Sequence, residues 1–400
     1  MDRENQTFHN LGIVPKMLQV IESLKLTSPT PVQHSAIPVI MEGKDVVAIA
    51  QTGTGKTLAF GIPIVQLLIQ SGGQALVLAP TRDLCLQIDE VFQDILHPFQ
   101  MKSSVLVGGL RMGNQISQLR RKPQVIIATP GRLIDHIERR TVQLDRVNIF
   151  ILDEADRMLD MGFAPQVSRI IQRLPQQRQT ALFSATMPEN IIKLSKQYMK
   201  APTRVEVARP AMTLKETTQE LFIVANENKK SLLRALLKTY AGSVLIFIRT
   251  KHNTKKITHY LQQVGHAAVE IHSNRTMGQR KNAIEGFKKG RYRILVATDV
   301  AARGLDVKDI EVVINYDLPD EIENYVHRIG RTGRAGQKGR AITFATPDQG
   351  QGVRDIERLI KHSIPRGVHE NAKEEQFRKG AAQPPHRGRR HRFRSRGRRF

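Results

Sequence analysis

Residues 46–57, Val-Val-Ala-Ile-Ala-Gln-Thr-Gly-Thr-Gly-Lys-Thr, decide how the first part of the chain folds. Four apolar residues precede a loop with two glycines, and the residues after Thr57 predict a helix. Loop glycines between a strand and a helix let backbone N–H groups converge on phosphate oxygens. Lys56 would then reach the β- and γ-phosphates, and the Thr57 hydroxyl would hold Mg²⁺. The stretch predicts a nucleotide site, although Ala50 stands where the usual pattern has glycine.

A second buried strand ends in four residues of which three are acidic. The apolar run that ends at Leu152 is followed by Asp153-Glu154-Ala155-Asp156. Asp153 would hold Mg²⁺ directly or through water, and Glu154 would orient and deprotonate an attacking water. The alternative is a solvated helix N-terminus, where carboxylates are favoured in any case. Lys56 earlier in the chain favours the catalytic interpretation.

Short Val/Ile/Leu-rich runs alternate with longer helical patterns along the whole chain, which is typical of parallel α/β units. The alternation pauses after Glu206 and restarts near residue 220, so we expect two successive open parallel sheets with helices on both faces. The predicted strands are Val46–Ile49, Gln74–Ala79, Val105–Val107, Val125–Ala128, Ile149–Leu152, Thr180–Phe183, Leu221–Val224, Val244–Ile248, Ala268–Ile271, Ile294–Ala297, Val312–Asn315 and Ala341–Phe344.

Composition indicates a polyanionic partner. The chain has 62 basic and 37 acidic residues, a net charge of +25, which favours nucleic acid over an anionic membrane. No apolar run approaches about 18 residues, and the first residues show no apolar signal segment. A single cysteine, Cys85, excludes an internal disulfide and a multi-cysteine metal site. We expect a cytoplasmic protein that does not associate with membranes.

The Asp153–Asp156 stretch and about ten further short motifs, in order from Phe8 to Phe344, resemble the DEAD-box RNA helicases. The resemblance implies two tandem RecA-like domains, ATP and Mg²⁺ as cofactors, and a monomer that binds RNA with little sequence preference. It also implies that ATP binding and hydrolysis are coupled to domain closure, local duplex unwinding and ribonucleoprotein remodelling. The spacing and the Ile271-His-Ser-Asn274 context most resemble the bacterial RhlE-type subgroup.

The resemblance also assigns nucleotide residues. Gln33 lies in a segment similar to the family's Q motif and could pair with adenine through its amide, and Phe8 stands where the family has an adenine-stacking aromatic. Arg331 and Arg334 would reach the γ-phosphate as arginine fingers, and Asp306 would bind the ribose. The predicted catalytic residues are Lys56, Asp153, Glu154, Arg331 and Arg334, and Thr57 and Asp153 are the predicted metal ligands. The predicted ATP-binding residues are Phe8, Gln33, Thr52, Gly53, Thr54, Gly55, Lys56, Thr57, Gly304 and Asp306.

Further motifs match loops that contact RNA or couple the two halves. Hydroxyls, glycine amides and arginines hold phosphates without reading bases, so little sequence preference and a steep salt dependence are expected. The predicted RNA-binding residues are Pro80, Thr81, Arg82, Gly108, Gly109, Thr129, Pro130, Gly131, Arg132, Arg280 and Thr298. The predicted coupling residues are Asp156, Ser184, Thr186 and His327. Asp83 and Met277 depart from the family's usual residues.

The expected organisation is a helicase domain over 1–206, a linker over 207–219, a second domain over 220–365 and a disordered basic tail over 366–400. Residues 386–400 hold eight arginines and no acid, so the tail would contact RNA or only solubilise the chain. Two other functions remain open. Backbone contacts do not separate RNA from DNA without the 2′-OH, which leaves a DNA helicase or translocase. A non-enzymatic RNA chaperone, with annealing done by the tail, is the other.

Overall fold

The computed structural model describes residues 7–50, 54–207, 217–302, 310–333, 339–370 and 375–378. These residues form two units, each built on one β-sheet in which every strand pair is parallel. The prediction of two successive parallel sheets is confirmed. Within the described residues, no helix has the length and apolar character needed to cross a bilayer.

The first sheet has seven strands in the order β3-β4-β2-β5-β6-β1-β7. Its strands are β1 (Val46–Ile49), β2 (Gln74–Leu78), β3 (Ser103–Leu106), β4 (Val125–Ala128), β5 (Val147–Leu152), β6 (Gln179–Ser184) and β7 (Thr203–Glu206). The helices of this unit are α1 (Pro15–Ser23), α2 (Pro31–Met41), α3 (Lys56–Ser71), α4 (Arg82–Leu96), α5 (Met112–Leu119), α6 (Pro130–Glu138), α7 (Ala155–Asp160), α8 (Ala164–Ile171) and α9 (Glu189–Tyr198), with short 3₁₀ turns at Phe8–Leu11 and His97–Phe99.

Both faces of the first sheet are covered by helices, which explains why its central strands are largely apolar. Successive strand residues point to opposite faces. Ile149 and Ile151 accordingly pack in one core with α1 to α4, whereas Phe150 and Leu152 pack in the other with α6 to α9. Full burial of such a side chain contributes about 1.5–3 kcal/mol. The two cores fix the carboxyl end of β5, from which the acidic loop emerges.

The second sheet has six strands in the order β10-β11-β9-β12-β13-β8. Its strands are β8 (Thr217–Ile223), β9 (Val244–Phe247), β10 (Ala268–Ile271), β11 (Ile294–Ala297), β12 (Val312–Asn315) and β13 (Gly339–Ala345). The helices in this part of the chain are α10 (Lys229–Thr239), α11 (Lys251–Gln263), α12 (Met277–Lys288), α13 (Asp299–Ala302), α14 (Glu323–Ile329) and α15 (Gly350–Ile360). Side chains of α10 and α11 pack in one apolar core, and those of α14 and α15 pack in another.

Two predicted boundaries are wrong. The linker predicted over 207–219 ends inside β8, where Thr217 pairs with Gly339 of β13. The predicted start of the tail at residue 366 is too early. The Gly367 amide donates to the Leu221 carbonyl at 2.9 Å, so the chain still runs along the edge of β8 at this residue. A side chain at residue 367 would meet the ring of Phe222, so this close approach requires glycine. Residues 208–216, most of the linker, lie outside the described residues, as do 371–374 and 379–400.

Candidate nucleotide and nucleic-acid site

The strand order of the first sheet sorts the predicted site residues into two neighbouring groups. The loops that follow β5 and β1 carry residues predicted to bind and hydrolyse ATP, and the loop after β6, the strand between these two, carries the predicted coupling residues Ser184 and Thr186. The loops that follow the adjacent strands β3, β4 and β2 carry those predicted to bind RNA. All of these loops leave the carboxyl ends of parallel strands, where ligands bind in open α/β sheets. The sequence shows each motif after a strand, but only the strand order shows how the motifs are grouped.

Lys56 and Asp153 form the centre of the nucleotide side. Lys56 is the first residue of α3, so its ammonium lies at a helix N-terminus that favours phosphate. The side chain is buried, its Nζ lies 3.7 Å from Asp153 Oδ1, and it has no hydrogen-bond partner within the described residues. A buried ammonium without a hydrogen bond is costly unless a ligand completes its shell. The arrangement fits a nucleotide phosphate as the missing acceptor.

The Asp153 carboxylate is buried, so a nearby cation would stabilise its ionised form. Burial raises the pKa of its carboxyl to about 6, although the Lys56 ammonium lowers it in part. A divalent cation would remove this penalty by stabilising the ionised form. No cluster of three or more His, Cys, Asp or Glu side chains suited to a metal occurs among the described residues. Mg²⁺ held by Asp153 and Thr57 would take phosphate oxygens as further ligands, which is its usual mode of binding in nucleotide sites.

Glu154 is held as an ionised carboxylate in a buried position. Burial alone would raise the pKa of this carboxyl, but the Arg157 guanidinium and the Lys56 ammonium outweigh it and hold the pKa below its usual value. Arg157 Nη1 donates to Glu154 Oε2 at 2.7 Å, and both side chains are almost fully buried. The Glu154 backbone is left-handed, with φ of 51°, and the residue stands immediately before α7. An ionised, fixed carboxylate can accept a proton from water.

Asp156 connects the acidic loop to the loop after β6. Its Oδ2 accepts hydrogen bonds from the Ala185 amide at 3.0 Å and from the Thr186 amide and hydroxyl at 2.9 Å. Its Oδ1 accepts the Arg157 amide at 2.9 Å. The Ser184 hydroxyl donates to the Thr186 carbonyl at 2.7 Å, which fixes the loop internally. These bonds join the loop after β5 directly to the loop after β6.

The Gln33 amide is tied to the phosphate loop. Its Oε1 accepts the Thr30 amide at 2.9 Å, and its Nε2 donates to the Gly55 carbonyl at 3.1 Å. Gly55 has φ of 88°, and a side chain there would meet the Gln33 amide, so this contact requires glycine. The amide keeps one N–H hydrogen and one lone pair for a base. Phe8 instead lies buried in the apolar core, and the prediction that it stacks on adenine requires this segment to shift.

The three loops of the nucleic-acid side lie against one another. The Arg82 guanidinium packs so closely on Gly108 and Gly109 that a side chain at either glycine would meet it. Arg132 Nη1 donates to the carbonyl of Leu110 at 3.2 Å. A side chain added at Gly131 would meet nothing, so the space in front of this glycine is open to a ligand.

The two threonines of these loops mark helix starts. Thr81 Oγ1 accepts the Leu84 amide at 3.3 Å and so caps α4, directly after buried Pro80. Thr129 stands immediately before Pro130, the first residue of α6. The loop after β2 and the loop after β4 therefore present helix N-termini, which favour phosphate.

The second unit contains a buried arginine that is not among the predicted site residues. Arg328 on α14 donates through Nε and Nη2 to both oxygens of Asp299, each at 2.6 Å. Its Nη1 donates to Asn315 Oδ1 at 3.2 Å and to the Asp317 carbonyl at 2.7 Å. The guanidinium also lies 5.0 Å from the centre of the Phe247 ring. Arg328 thereby joins the ends of β9 and β12 to the start of α13. Its only sequence signal was its place between His327 and Arg331.

The predicted finger residue Arg331 lies just beyond α14, after the capping residue Gly330. Its amide donates to the Arg328 carbonyl at 3.2 Å, and its side chain is buried. His327 lies one turn earlier, on α14. Thr298 is buried after β11, and its amide donates to the Ile271 carbonyl at 3.3 Å.

Arg280 lies on α12, and its guanidinium donates to the Ala301 carbonyl at 3.1 Å. The predicted residues Thr52, Gly53, Gly304, Asp306 and Arg334 lie outside the described residues.

Comparison with known families gives two matches that together span most of the chain. Residues 30–194 match the DEAD/DEAH box helicase model, and residues 227–336 match the helicase conserved C-terminal domain model. The ATP-dependent RNA helicase DbpA of Bacillus subtilis is 44% identical over 360 residues, 89% of this chain and 75% of the relative. The ATP-dependent rRNA helicase RRP3 of Meyerozyma guilliermondii is 41% identical over 91% of this chain and 78% of the relative.

Solved helicase structures share the fold. Dbp5 of S. cerevisiae bound to RNA and ADP BeF3 superposes with a TM-score of 0.80 at 30% identity, over 90% of this chain and 95% of that one. Mss116p bound to ssRNA and AMP-PNP gives 0.83 at 29% identity, over 94% of this chain and 84% of that one. The two sheets are therefore RecA-like. With both family models matched in order and these relatives similar over most of their length, the chain belongs to the DEAD-box helicase family.

Proposed function

We propose that the chain is an ATP-dependent RNA helicase, an ATP hydrolase whose turnover depends on bound RNA. The observation that carries the proposal is the buried cluster of Lys56, Asp153 and Glu154 beside a row of phosphate-type loops on the same sheet edge. The related DbpA and RRP3 are named as RNA helicases, and Dbp5 and Mss116p were solved with RNA and an ATP-like nucleotide. A site that hydrolyses ATP, next to loops that bind an RNA backbone, would account for the activity in the relatives' names and for the ligands in the solved structures.

ATP would bind on the first unit. Lys56 would contact the β- and γ-phosphates, and the free N–H and lone pair of the Gln33 amide would read adenine. Thr52, Gly53, Thr54 and Gly55 would supply backbone amides around the phosphates. When bound, Mg²⁺ would neutralise charge that develops on the phosphates, with Asp153 and Thr57 holding it. Phe8 would add stacking on the base.

Hydrolysis would need both units. Glu154 would take a proton from the attacking water, and Arg331 and Arg334 would stabilise the γ-phosphate charge. Gly304 and Asp306 would complete the nucleotide contacts from the second half. The Asp156 bonds to Ser184–Thr186, together with His327, would link the phosphate state to closure of the units. ATP and RNA would then favour the same closed state, so each would strengthen the binding of the other.

RNA would be held by its backbone. Arg82 and Arg132 would pair with phosphates, and the Gly108, Gly109 and Gly131 amides would approach them closely. Sequence preference would be weak and salt dependence steep. The other proposed RNA contacts are Pro80, Thr81, Thr129, Pro130, Arg280 and Thr298.

Strand displacement tests the proposal. A short labelled RNA duplex with a single-stranded extension should separate in repeated rounds with ATP and Mg²⁺, whereas a non-hydrolysable analogue should not support repeated rounds of separation. Lys56→Ala is the matched control, since it removes the ammonium beside Asp153 and should release no strand. Equal displacement by wild type and Lys56→Ala would show that strands separate passively, as expected of a chaperone.

Three finer points belong to the same proposal. The RhlE-type assignment rests on the Ile271–Asn274 context, while the relatives described above carry other names.

The arginine-rich residues 386–400 would bind RNA, so removing residues after Gly380 should weaken RNA affinity and flatten its salt dependence while ATP turnover at saturating RNA persists. Unchanged affinity at low and moderate salt would contradict this role. We further propose a monomer that acts in the cytoplasm.

A further inference from the structure

One buried side chain bridges the loop after β3 and helix α6. Gln115 on α5 is almost fully buried, and its Nε2 donates to the carbonyls of Val107 at 3.1 Å and Leu110 at 3.2 Å. These two residues flank the Gly108-Gly109 pair. Both N–H hydrogens of the amide are therefore committed to the ends of one short loop, which also fixes which end of the amide faces it.

The other end of the amide faces His136 on α6. Its Oε1 lies 3.3 Å from His136 Nε2, and because an amide oxygen only accepts, this ring nitrogen must carry the hydrogen. Burial, together with Arg132 and Arg139, lowers the pKa of this imidazole and favours its neutral form. Nδ1 is then an acceptor for the Thr141 hydroxyl at 2.8 Å. The Thr141 hydroxyl also lies 3.2 Å from the His136 carbonyl, and its single hydrogen serves one of these two acceptors at a time, so it is the Gln115 contact that sets the tautomer.

The bridge fixes two phosphate-type loops relative to each other. His136 is on the same helix as Thr129–Arg132, the loop that precedes and opens α6. Arg132 adds a second bond to the Leu110 carbonyl at 3.2 Å. Residues 107–110 are thus bonded to α6 at two points. Arg132 bonds them in the first turn of the helix, and Gln115 connects them to His136 one turn later. Both Gln115 and His136 are buried, so neither is placed to touch RNA itself.

We propose that Gln115 and His136 are positioning residues for RNA, which hold the Gly108-Gly109 loop at a fixed distance from the start of α6 so that both loops meet successive phosphates of one strand. The inference rests on the proposed function, because it assumes that these loops hold RNA. It assigns the effect to RNA affinity alone, since the bridge lies on the β3–β4 side of the sheet, whereas Lys56 follows β1 and Asp153 and Glu154 follow β5.

Gln115→Met tests the bridge in the full chain. Methionine keeps the length and volume of the side chain, but leaves the Val107 and Leu110 carbonyls without their amide donor. The matched control is Gln118→Met, an exposed glutamine one turn along the same helix, whose amide oxygen accepts a long bond from the Ser104 hydroxyl at 3.4 Å. The readouts are the RNA concentration that half-saturates ATP turnover, kcat at saturating RNA, and the affinity for a fluorescent nucleotide without RNA. We expect Gln115→Met to raise the half-saturating RNA concentration roughly tenfold. Its kcat and nucleotide affinity should stay within about twofold of those of Gln118→Met.

His136→Phe tests the same bridge from α6. It should also raise the half-saturating RNA concentration. In the double variant this concentration should rise by less than the product of the two single increases, because both substitutions break the same hydrogen-bond network. Equal half-saturation for Gln115→Met and Gln118→Met would overturn the inference, as would a parallel loss of nucleotide affinity in Gln115→Met and His136→Phe. A wild-type chain that does not respond to RNA would overturn the proposed function, and this inference with it.

Discussion

Replacing Arg157 by methionine tests how Glu154 is kept ionised inside the nucleotide site. The Glu154 carboxylate is buried, and burial by itself raises its pKa. The Arg157 guanidinium, at 2.7 Å, is the main group that holds the pKa low. Methionine fills similar space but carries no charge. In the variant, Lys56 would be the one remaining cationic neighbour among those that lower the Glu154 pKa, so burial would raise this pKa above its value in the wild type. A carboxylate that serves as a base is active only when ionised, so turnover should be lost at a higher pH in the variant.

The expected size follows from the contact. A hydrogen bond to a charged group contributes about 1.5–3 kcal/mol, and about 1.4 kcal/mol corresponds to one pH unit. The acid limb of kcat should therefore move upward by about one to two pH units. The direction is fixed, because removing a cation disfavours the ionised carboxylate. At pH well above the new limb, kcat should approach the wild-type value.

The assay is steady-state ATP hydrolysis from pH 3.5 to 9 at saturating RNA, ATP and Mg²⁺, so that kcat reports the bound complex and Mg²⁺ at the proposed Asp153 site would keep that carboxylate ionised. Arg169→Met is the matched control, because Arg169 pairs with Glu138 at 2.9 Å but both side chains are more than half exposed. An acid limb that stays in place in Arg157→Met, or moves equally in Arg169→Met, would refute the assignment of Glu154 as the base.

Three further predictions address the remaining groups. Lys56→Ala removes the ammonium at the start of α3, and kcat should fall by at least about 10²-fold in the same assay, with near-normal turnover as the contradicting result. Glu154→Gln keeps the shape but not the base, so nucleotide affinity should persist while hydrolysis stops and an RNA complex accumulates in gel-shift experiments; ordinary turnover would rule out the role. Arg328→Met leaves the Asp299 carboxylate uncompensated and should cost about 3–5 kcal/mol of stability, seen as an earlier thermal transition. Arg358→Met is its control, since that arginine is exposed in its pair with Asp355 and should change stability by less than about 1 kcal/mol.

The strands that carry the site were predictable because parallel strands buried on both faces read as continuous apolar runs. β1, β4 and β10 to β12 have the predicted bounds. β7 was missed because only Val205 in it is buried, which leaves no periodic signal. The start of β8 was missed for a related reason. Thr217 and Gln219 face the interior as polar residues, and Gln219 is satisfied there by the Tyr325 hydroxyl at 2.9 Å, a partner 106 residues away.

The candidate site divides in the same way. Residues within one loop, such as Asp153 and Glu154, could be assigned from a local pattern. Contacts that depend on which strands are neighbours could not, and the Gln115–His136 bridge and the Arg328 cluster belong to this class. The Glu154–Arg157 pair belongs to the local class, because its two oppositely charged residues are only three positions apart in the sequence.

The most direct test of the account is ATP hydrolysis by the full chain with single-stranded RNA, with DNA of the same sequence, and with neither. We predict low turnover alone, strong stimulation by RNA and much weaker stimulation by DNA. Equal stimulation by DNA would replace the RNA helicase with a general nucleic-acid translocase. Absence of turnover in all three conditions would contradict the assignment of Lys56, Asp153 and Glu154 as a working ATPase centre.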